Sequence, residues 1–390
     1  MQPDLTPRIG RYLTTSTLGE MVNAYLPVPL PPTPPLDLAR LLGRIARADQ
    51  ALGRLDGMTA ILPSNNLFVY MYVRKEALLS SQIEGTQSSL SDLLLFEGDN
   101  PSATAFDDVA EVSNYIAAMD HGLSRLASGF PLSLRLITEM HQKLLAGGRG
   151  SAKQPGEFRK SQNWIGGSRP GNALFVPPPP ERLIECLGPL ELFLHDRDTY
   201  PVLIRAALAH VQFETIHPFL DGNGRLGRLL ITLMLCEEKA LQEPILYLSL
   251  HFKTHRNQYY ELLQIVRKTG DWEAWLEFFL DGVIETSQQG VSTAKRLLRL
   301  FEEDRAKISA SRRAASTSLL VHGEVQKNPF LSVSVAATQT NLSQPTVQSA
   351  VNNLCELGIL EEITGKQRRR IYKYKRYLAI LEEGTEPLPP

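Results

Sequence analysis

Residues 217–228 read HPFLDGNGRLGR, and this short stretch constrains the fold more than any other part of the 390-residue chain. The sequences on either side, PVLIRAALAHVQFETI and LGRLLITLMLCEEKAL, both have the apolar spacing of helices. Asparagine and glycine favour a tight loop between them. His217, Asp221, Arg225 and Arg228 add a set of side chains that a purely structural loop rarely needs.

These residue types together indicate a site for a metal and an anion. Backbone N–H groups at the start of a helix bind anions, and glycines allow a phosphate to approach the backbone closely. Arg225 and Arg228 lie three residues apart on one helical face and could hold phosphate oxygens. Asp221 offers a hard oxygen ligand for Mg²⁺. His217 suits a general base near neutral pH, so the loop predicts a magnesium–nucleotide site with a base beside it.

Other patterns fit parts of the same loop. Gly222, Gly224 and Gly227 satisfy GxGxxG, but a dinucleotide site needs a preceding strand, and a helix is predicted there. Arg228 stands where a P-loop has its lysine, and Arg225 stands where a calcium loop has an oxygen ligand. The remaining alternative is a structural loop, in which the hydrogen bonds of His217 are satisfied within the protein and the two arginines face solvent.

Composition limits the other classes of function. The net charge of −1 gives no argument for nucleic acid or membrane from the whole molecule. Hydrophobic residues make up 43% and charged residues 21%, as in soluble globular proteins. Cys186, Cys236 and Cys355 form no CxxC pair, which favours a reduced, cytoplasmic setting. We expect neither a signal peptide nor a membrane helix, because no apolar run reaches about 18 residues.

The chain is too long for one ordinary core, and its patterns divide it into six segments. We expect helices over 64–83, 133–146, 181–195 and 201–215, and a short β-hairpin over 163–180, where Gly and Pro punctuate the sequence. The predicted segments are an extended Pro-rich arm (1–36), an N-terminal helical region (37–130), a helical core (131–285), a linker helix (286–315), a winged helix (316–380) and a tail (381–390).

The winged-helix prediction depends on VSVAATQTNLSQPTVQSAVNNLCELGILEEI, which has a helix–turn–helix pattern. Ser343 suits a helix N-cap, and Pro345 falls in the first turn, where proline is tolerated. The sequences LEEI and RRIYKYKRY then suggest a strand pair around TGKQ. The fold class is therefore mainly α, with a small flap and a C-terminal α+β domain.

The expected wing is basic, which leaves DNA binding open. The expected recognition helix has no Arg or Lys, although Gln344, Thr346, Gln348 and Asn352 could read bases. A protein-docking or dimerising winged helix is the alternative. The basic residues are Lys366, Arg368, Arg369, Arg370, Lys373, Lys375 and Arg376.

HPFLDGNGRLGR resembles the signature of the Fic-domain family, HxFx(D/E)GNGRxxR, at every fixed position. The resemblance covers roughly residues 37–285. It implies a helical core that binds ATP–Mg²⁺ and transfers AMP to a hydroxyl side chain of a target protein. It also implies a role for each matching residue. His217 takes the proton, Asp221 holds Mg²⁺, Asn223 and the loop N–H groups (Gly222, Gly224, Gly227) hold the α-phosphate region, and Arg225 and Arg228 hold the outer phosphates.

A second stretch, SSQIEG, is similar to the family's inhibitory pattern (S/T)xxxE(G/N) through Ser80, Glu84 and Gly85. The resemblance implies that Glu84 pairs with Arg228 and competes with the γ-phosphate for one guanidinium. A solvent-facing Glu84 at a helix end is the alternative. In some relatives this glutamate also promotes removal of AMP.

Two less specific resemblances concern the docking of the target protein and the binding of adenine. The hairpin at 163–180 lies where the family has its target-docking flap; Ile165–Gly167 resembles the flap's start and Pro155–Arg159 the segment before it. Tyr259 and Tyr260 match a region that lines the adenine in relatives, but the asparagine that often follows is absent. Both tyrosines could equally be core residues.

Two classes of function remain. The first is an AMP-transferring enzyme that Glu84 inhibits and that acts on Tyr, Ser or Thr hydroxyls of target proteins and of itself. The second is a DNA-binding regulator whose Fic domain senses nucleotide. Other family members transfer UMP, phosphate or phosphocholine, and the intact GNGR loop with Glu84 favours ATP. A homodimer stays open as a further partner.

Overall fold

A computed structural model describes residues 6–59, 65–97, 106–147, 150–311, 314–365 and 370–388. Helices dominate these ranges, as the periodicity predicts, and the ends of the expected helices fall within two residues of the observed ones. None of the described helices is long and apolar enough to cross a membrane. The helices are α1 (Leu38–Thr59), α2 (Asn65–Ile83), α3 (Leu90–Glu97), α4 (Phe106–Ala127), α5 (Leu134–Leu144), α6 (Leu183–Leu194), α7 (Val202–Ile216), α8 (Asn223–Glu237), α9 (Ser249–Thr254), α10 (Arg256–Thr269), α11 (Trp272–Ala310), α12 (Ala315–Lys327), α13 (Val333–Thr340), α14 (Gln344–Glu356) and α15 (Lys375–Glu382).

Five short strands in the described ranges form two antiparallel sheets. The pairing of β4 with β5 confirms the expected wing strands, and β3 completes a sheet of order β3-β5-β4. At three residues, β3 is too short to show an alternating pattern in the sequence. The strands are β1 (Arg11–Thr17), β2 (Glu20–Leu26), β3 (Phe330–Ser332), β4 (Leu360–Glu362) and β5 (Ile371–Tyr374).

The N-terminal segment is extended, and Tyr25, Leu26 and Leu30 are buried. Its folding into the β1–β2 hairpin was not predicted. The turn places Leu18 and Gly19 at positive φ (50° and 82°), as a two-residue hairpin turn requires. The pattern is hard to recognise because β1 is largely exposed and carries threonines where buried apolar residues would stand.

The hairpin expected over 163–180 is reduced to one antiparallel bridge between Ile165 and Phe175. Gly166 and Gly167 turn the chain at positive φ, and a 3₁₀ turn at Pro170–Asn172 takes up most of the remaining residues. We call residues 163–176 the flap. It packs beside β2, where the Tyr25 N–H donates to the Val176 carbonyl (2.8 Å).

The 39-residue helix α11 connects the two parts of the molecule. It begins where Gly270 ends α10 at φ 70° and Asp271 caps the next helix by accepting from the Ala274 N–H (3.1 Å). It packs against α1, α7, α10, α12 and α15. The expected core–linker boundary at residue 285 therefore falls inside one continuous helix. The limits of the six segments expected from the sequence remain predictions.

Helices α7 and α8 form the centre of the core, and every residue of α7 after its first is buried. Gly227 permits their close packing, because a Cβ there would lie 2.7 Å from Glu214 Oε1 and 3.3 Å from the Phe213 ring. The structure thus places Gly227 against α7. The close packing of α7 and α8 fixes both ends of the loop between them.

Arg8 attaches the N-terminal segment to α11. Its guanidinium is buried, lies 2.7 Å from Glu273 Oε2, and donates to the carbonyls of Pro34 and Pro35. Replacing Arg8 with Met should lower the free energy of unfolding by about 3 kcal/mol, because the Glu273 carboxylate loses its buried partner.

Urea denaturation of the Arg8→Met protein measures this loss. Arg11→Met, at an exposed position on β1, is the control and should change stability by less than about 0.5 kcal/mol. Equal stability of the two variants would contradict the proposed attachment.

Candidate active site

The loop between α7 and α8 contains two residues in left-handed conformation. His217 ends α7 at φ 49° and ψ 62°, and its N–H donates to the Phe213 carbonyl (2.8 Å). Gly222 precedes α8 at φ 77°. Positive φ is uncommon for a residue with a Cβ, and such strain concentrates at functional sites. His217 is one of six described non-glycine residues with positive φ, and it is the one in this loop.

Arg159 holds the start of this loop. The side chain is buried, and its Nε donates to the His217 carbonyl (2.9 Å) while its own backbone N–H donates to the Pro218 carbonyl (2.9 Å). The guanidinium also donates to the carbonyl of Pro178, just after the flap. Arg159 thus fixes the backbone of His217 relative to the flap. Sequence reasoning noted PGEFR but assigned Arg159 no role.

His141 holds the second half of the loop, at Phe219 and Asp221. Its ring stacks on Phe219 (3.7 Å between centroids), and Nε2 donates to the Asp221 carbonyl (3.0 Å) while Nδ1 accepts from the Gly156 N–H (2.8 Å). Burial lowers the pKa of His141 to about 4, so the ring stays neutral and keeps one donor and one acceptor.

Asn223 closes the loop on itself. Its Oδ1 accepts from the Phe219 N–H (2.9 Å) and its Nδ2 donates to the Phe219 carbonyl (2.8 Å). These two bonds use both ends of the side-chain amide. The geometry therefore supports a positioning role for the Asn223 side chain, and leaves contact with an α-phosphate to the backbone of the loop.

The inhibitory stretch and the loop meet at Arg228. Arg228 is buried, donates through Nε to Ser80 Oγ (2.8 Å), and donates through Nη2 to the Ser80 carbonyl (2.9 Å) and to Glu84 Oε1 (2.7 Å). Burial would raise the pKa of Glu84, but the charge of Arg228 outweighs it and holds that pKa below its usual value. Glu84 is therefore an ionised partner of Arg228, while its side chain stays 35% exposed.

The carboxylate of Glu84 also lies against the first turn of α8. A Cβ on Gly224 would lie 2.2 Å from Glu84 Oε1 and 3.1 Å from an Arg228 nitrogen. Gly224 is thus required for Glu84 to approach. Because a helix N-terminus attracts anions, Glu84 fills the space where a bound phosphate would be expected. Gly85, at φ 104°, turns the chain away directly afterwards.

Arg225 lies on the same helix but has different partners. Its Nη1 lies 3.2 Å from Glu111 Oε2, and its Nη2 lies 3.5 Å from Asp221 Oδ1. Asp221 Oδ1 also accepts from the Gly222 N–H (2.6 Å), and this side chain is 42% exposed. A half-exposed carboxylate at a helix N-terminus fits a Mg²⁺ ligand. Glu111 was missed because it carries no motif and comes from a distant helix, α4.

A cavity of about 550 Å³ opens beside these residues. It is lined by Glu84, His217, Gly224, Arg228 and both tyrosines of the YY pair, together with flap residues. Tyr259 is nearly fully buried, with its hydroxyl 2.9 Å from His210 Nε2, whereas Tyr260 is 37% exposed. Tyr259 is thus mainly a core residue with one edge on the cavity, and Tyr260 faces it. The remaining lining residues include Ile165, Gly166, Leu174, Glu214, Arg256, Gln264, Arg267 and Lys268.

Burial shifts the pKa of two further groups on the cavity wall. It lowers the pKa of His217 to about 3, helped by the charges of Arg159 and Arg267, and raises the pKa of Glu214 to about 7 against the opposing charge of Arg228. His217 is therefore neutral at physiological pH, which is the form that a general base needs. Arg267 donates to Thr215 Oγ1 (3.0 Å) and lies over the Phe175 ring (3.9 Å), which connects α7 to the flap.

A cluster of possible metal ligands lies elsewhere. Atoms of His251, His255 and Glu285 lie within 4.8 Å of one another, with His251 Nδ1 2.8 Å from Glu285 Oε2. None of the three lines the cavity. This cluster is therefore separate from the expected Mg²⁺ ligand Asp221.

Three of the basic residues expected on the wing have acidic partners, and two of them, Lys375 and Arg376, lie in α15 instead. Lys373 and Lys375 lie 3.8 Å and 3.4 Å from Glu361, and Arg376 pairs with Glu303 (2.9 Å) and Asp304 (3.4 Å). Ser343 caps α14 as expected. Lys366, Arg368 and Arg369 lie outside the described residues.

Family comparisons match three stretches of the chain. Residues 42–124 match the Fic/DOC family N-terminal domain, residues 131–235 match the Fic/DOC family, and residues 316–361 match a winged helix-turn-helix DNA-binding family. The first stretch contains Glu84 and the second contains the whole 217–228 loop. The chain therefore belongs to the Fic-domain proteins. Within that class it combines the Fic N-terminal region and Fic domain with a C-terminal winged helix.

Relatives and solved structures agree with this assignment. The protein adenylyltransferase Fic of Aedes aegypti is 30% identical over 249 residues, which are 61% of this chain and 46% of that protein. The Drosophila yakuba protein of the same name is 30% identical over 241 residues, 58% and 44% of the two chains. The chain thus spans less than half the length of these relatives.

Two solved structures share the fold at low sequence identity. A Fic family protein from Desulfovibrio desulfuricans G20 is 20% identical, with a TM-score of 0.59, and the match covers 90% of this chain and 98% of that one. A Fic domain containing signaling protein from Bacteroides thetaiotaomicron VPI-5482 is 17% identical, with a TM-score of 0.51, over 64% and 97% of the two chains.

The depressed pKa of His217 predicts an unusual titration. Because the unfolded chain binds this proton below about pH 6.5 and the folded chain does not, His217 should reduce stability as pH falls below that value. NMR of ¹⁵N-labelled imidazoles should show His217 neutral from pH 8 to pH 5, with the His217→Ala spectrum giving the assignment. A midpoint near pH 6.5 would contradict the burial argument.

Proposed function

We propose that this chain transfers AMP from ATP to a Tyr, Ser or Thr hydroxyl of a target protein, and that Glu84 holds it inactive. The observation that carries the proposal is the Glu84–Arg228 contact at the start of α8, beside His217. One cavity combines a phosphate-binding cation, a neutral base and a carboxylate in the place of an anion. The name of the curated relatives, protein adenylyltransferase, supports the same chemistry.

The triphosphate would bind along the first turn of α8. The backbone N–H groups of that turn and the nearby guanidiniums of Arg225 and Arg228 supply fixed positive charge. Little reorganisation of the protein is therefore needed during the reaction. Asp221 would hold Mg²⁺, which when bound neutralises phosphate charge. The pairing of Arg225 with Glu111 keeps its guanidinium directed at the loop.

The transfer step would begin with the acceptor hydroxyl beside His217. Its oxygen forms a bond to the α-phosphorus of ATP, the bond from that phosphorus to the bridging β-oxygen breaks, and pyrophosphate leaves. The hydroxyl proton passes to the neutral His217 imidazole. The products are a phosphodiester on the target protein and pyrophosphate. Arg159 contributes by fixing the His217 backbone where the base must act.

Inhibition follows from competition for Arg228. A γ-phosphate needs the guanidinium that Glu84 already holds at 2.7 Å, and it needs space against Gly224 that the carboxylate occupies. ATP would then bind with its α-phosphorus misplaced relative to His217. The adenine would lie toward Tyr260, which is the more accessible of the two tyrosines.

Labelling with ATP tests both parts of the proposal. Purified protein with Mg²⁺ and ATP labelled at the α-phosphate should incorporate little label as wild type, and on the order of a hundredfold more as Glu84→Gly, since an interaction of roughly 3 kcal/mol with a buried charge is removed. Glu84→Gly combined with His217→Ala should incorporate none. Absence of label from Glu84→Gly with every nucleotide would reject the transfer reaction.

A DNA-binding regulator is the second candidate, favoured by the family to which residues 316–361 match. The ion pairs of Lys373, Lys375 and Arg376 weaken it, because those charges already have acidic partners. If the wing binds DNA, affinity for a duplex should fall steeply with salt, survive His217→Ala, and be lost in Arg368→Ala with Arg369→Ala. Fluorescence anisotropy with a labelled duplex measures this. Binding that is unchanged in the double variant would exclude the wing as the DNA-binding surface.

A further inference from the structure

Residues 383–386 directly follow α15 and lie against helices α2 and α9, which are far from them in sequence. Four consecutive backbone carbonyls of this segment each accept a hydrogen bond from a side chain of those helices. The bonds are Lys75 Nζ to the carbonyl of Glu383 (2.7 Å), Lys253 Nζ to those of Gly384 (3.3 Å) and Glu386, and Gln82 Nε2 to that of Thr385 (2.8 Å).

The three donors are buried, which makes these bonds energetically important. Lys75 is 4% exposed, Lys253 is 6% exposed and Gln82 is fully buried. Burial lowers the pKa of Lys75 to about 8. A buried ammonium group is costly unless it is hydrogen-bonded, so these side chains need carbonyl or carboxylate oxygens in front of them. Together they form a built site for a short turn of polypeptide, with Gly384 at positive φ.

The segment is anchored by its own side chains as well. Glu383 forms a bidentate pair with Arg296 on α11 (2.6 Å for both bonds), and Glu382 bonds to Ser91. Thr385 is 3% exposed and folds back on the Glu382 carbonyl through its N–H (2.9 Å) and its hydroxyl (2.8 Å).

The site lies directly behind the inhibitory residue. Gln82 is two residues before Glu84, and its two amide hydrogens are used by the Thr385 carbonyl and by the Ser88 carbonyl (3.0 Å). Its backbone carbonyl accepts from the Gly85 N–H (3.1 Å). The segment, the last turn of α2 and the turn that follows Glu84 therefore share one hydrogen-bonded residue.

We propose that α2 and α9 form a peptide-binding site whose ligand is the chain's own segment 383–386, and that its occupancy holds Glu84 on Arg228. The second half of this inference rests on the proposed function. Because α15 runs without a break from β5 of the winged helix into the segment, displacement of β5 or α15 would withdraw the ligand. The winged helix thereby gains a physical route to the inhibitory glutamate.

The first test is a chain that ends at Glu382. It should bind the synthetic peptide of residues 383–388, EGTEPL, in isothermal titration calorimetry, whereas the full-length chain should not. The amides of residues 79–86 should exchange at least about fivefold faster in the shortened chain, as expected for loss of about one net hydrogen bond, and the peptide should restore them. Circular dichroism checks that the shortened chain is folded. No peptide binding by a folded shortened chain would overturn the site.

Labelling with ATP then tests the link to Glu84, with Glu84→Gly as reference. The shortened chain and full-length Lys253→Met should label at least about fivefold faster than wild type, while Lys295→Met, at an exposed lysine of α11, should not. Strong labelling of Glu84→Gly with wild-type rates in both test variants would overturn the link. If Glu84→Gly does not label, the proposed function fails, and peptide binding and amide exchange still decide the inference.

Discussion

Arg228 lies in the protein interior, with 2% of its side chain exposed, and a guanidinium in that position needs an anion. Glu84 supplies the anion in this structure, and Ser80 takes two of the remaining donors. A triphosphate could supply it equally well. Under the proposed function, the Glu84 carboxylate and a phosphate of ATP compete for this one buried cation. Catalysis and inhibition would then both follow from the need of Arg228 for an anion.

The surrounding fold holds the loop beside Arg228 in a fixed position. Helix α7 is buried along its length, Gly227 brings α8 into contact with it, and the loop between them is fixed by hydrogen bonds from Arg159, His141 and Asn223. The loop therefore need not rearrange when the anion changes. Glu84 directly follows α2, the backbone turns at Gly85, and Gln82 behind that turn donates to the Thr385 carbonyl.

The loop and its chemistry could be predicted because the relevant residues are close together in the sequence. His217, Gly224 and Arg228 all come from one twelve-residue stretch, and the structure places them on one cavity. The predicted helices could be recognised because apolar residues recur in them at helical spacing. The winged helix could be predicted in outline, since capping residues and a turn mark its elements.

Other residues could not be found because their partners are distant in the sequence. Glu111 faces Arg225 across 114 positions, and Gln82 faces Thr385 across 303. A single sequence shows neither pairing, since a carboxylate or an amide on a helix is usually solvated. The hairpin β1–β2 was missed for a different reason, because its first strand is mostly exposed and lacks an alternating apolar pattern.

The most direct test of the account is the position of the ATP α-phosphorus in crystals of the wild-type protein and of Glu84→Gly, each soaked with ATP and Mg²⁺. The account predicts that in Glu84→Gly the γ-phosphate binds Arg228 and the α-phosphorus faces His217, with room for an acceptor oxygen between them. In the wild type, Glu84 should keep Arg228 and the α-phosphorus should be displaced. Identical triphosphate positions in the two crystals would contradict the account.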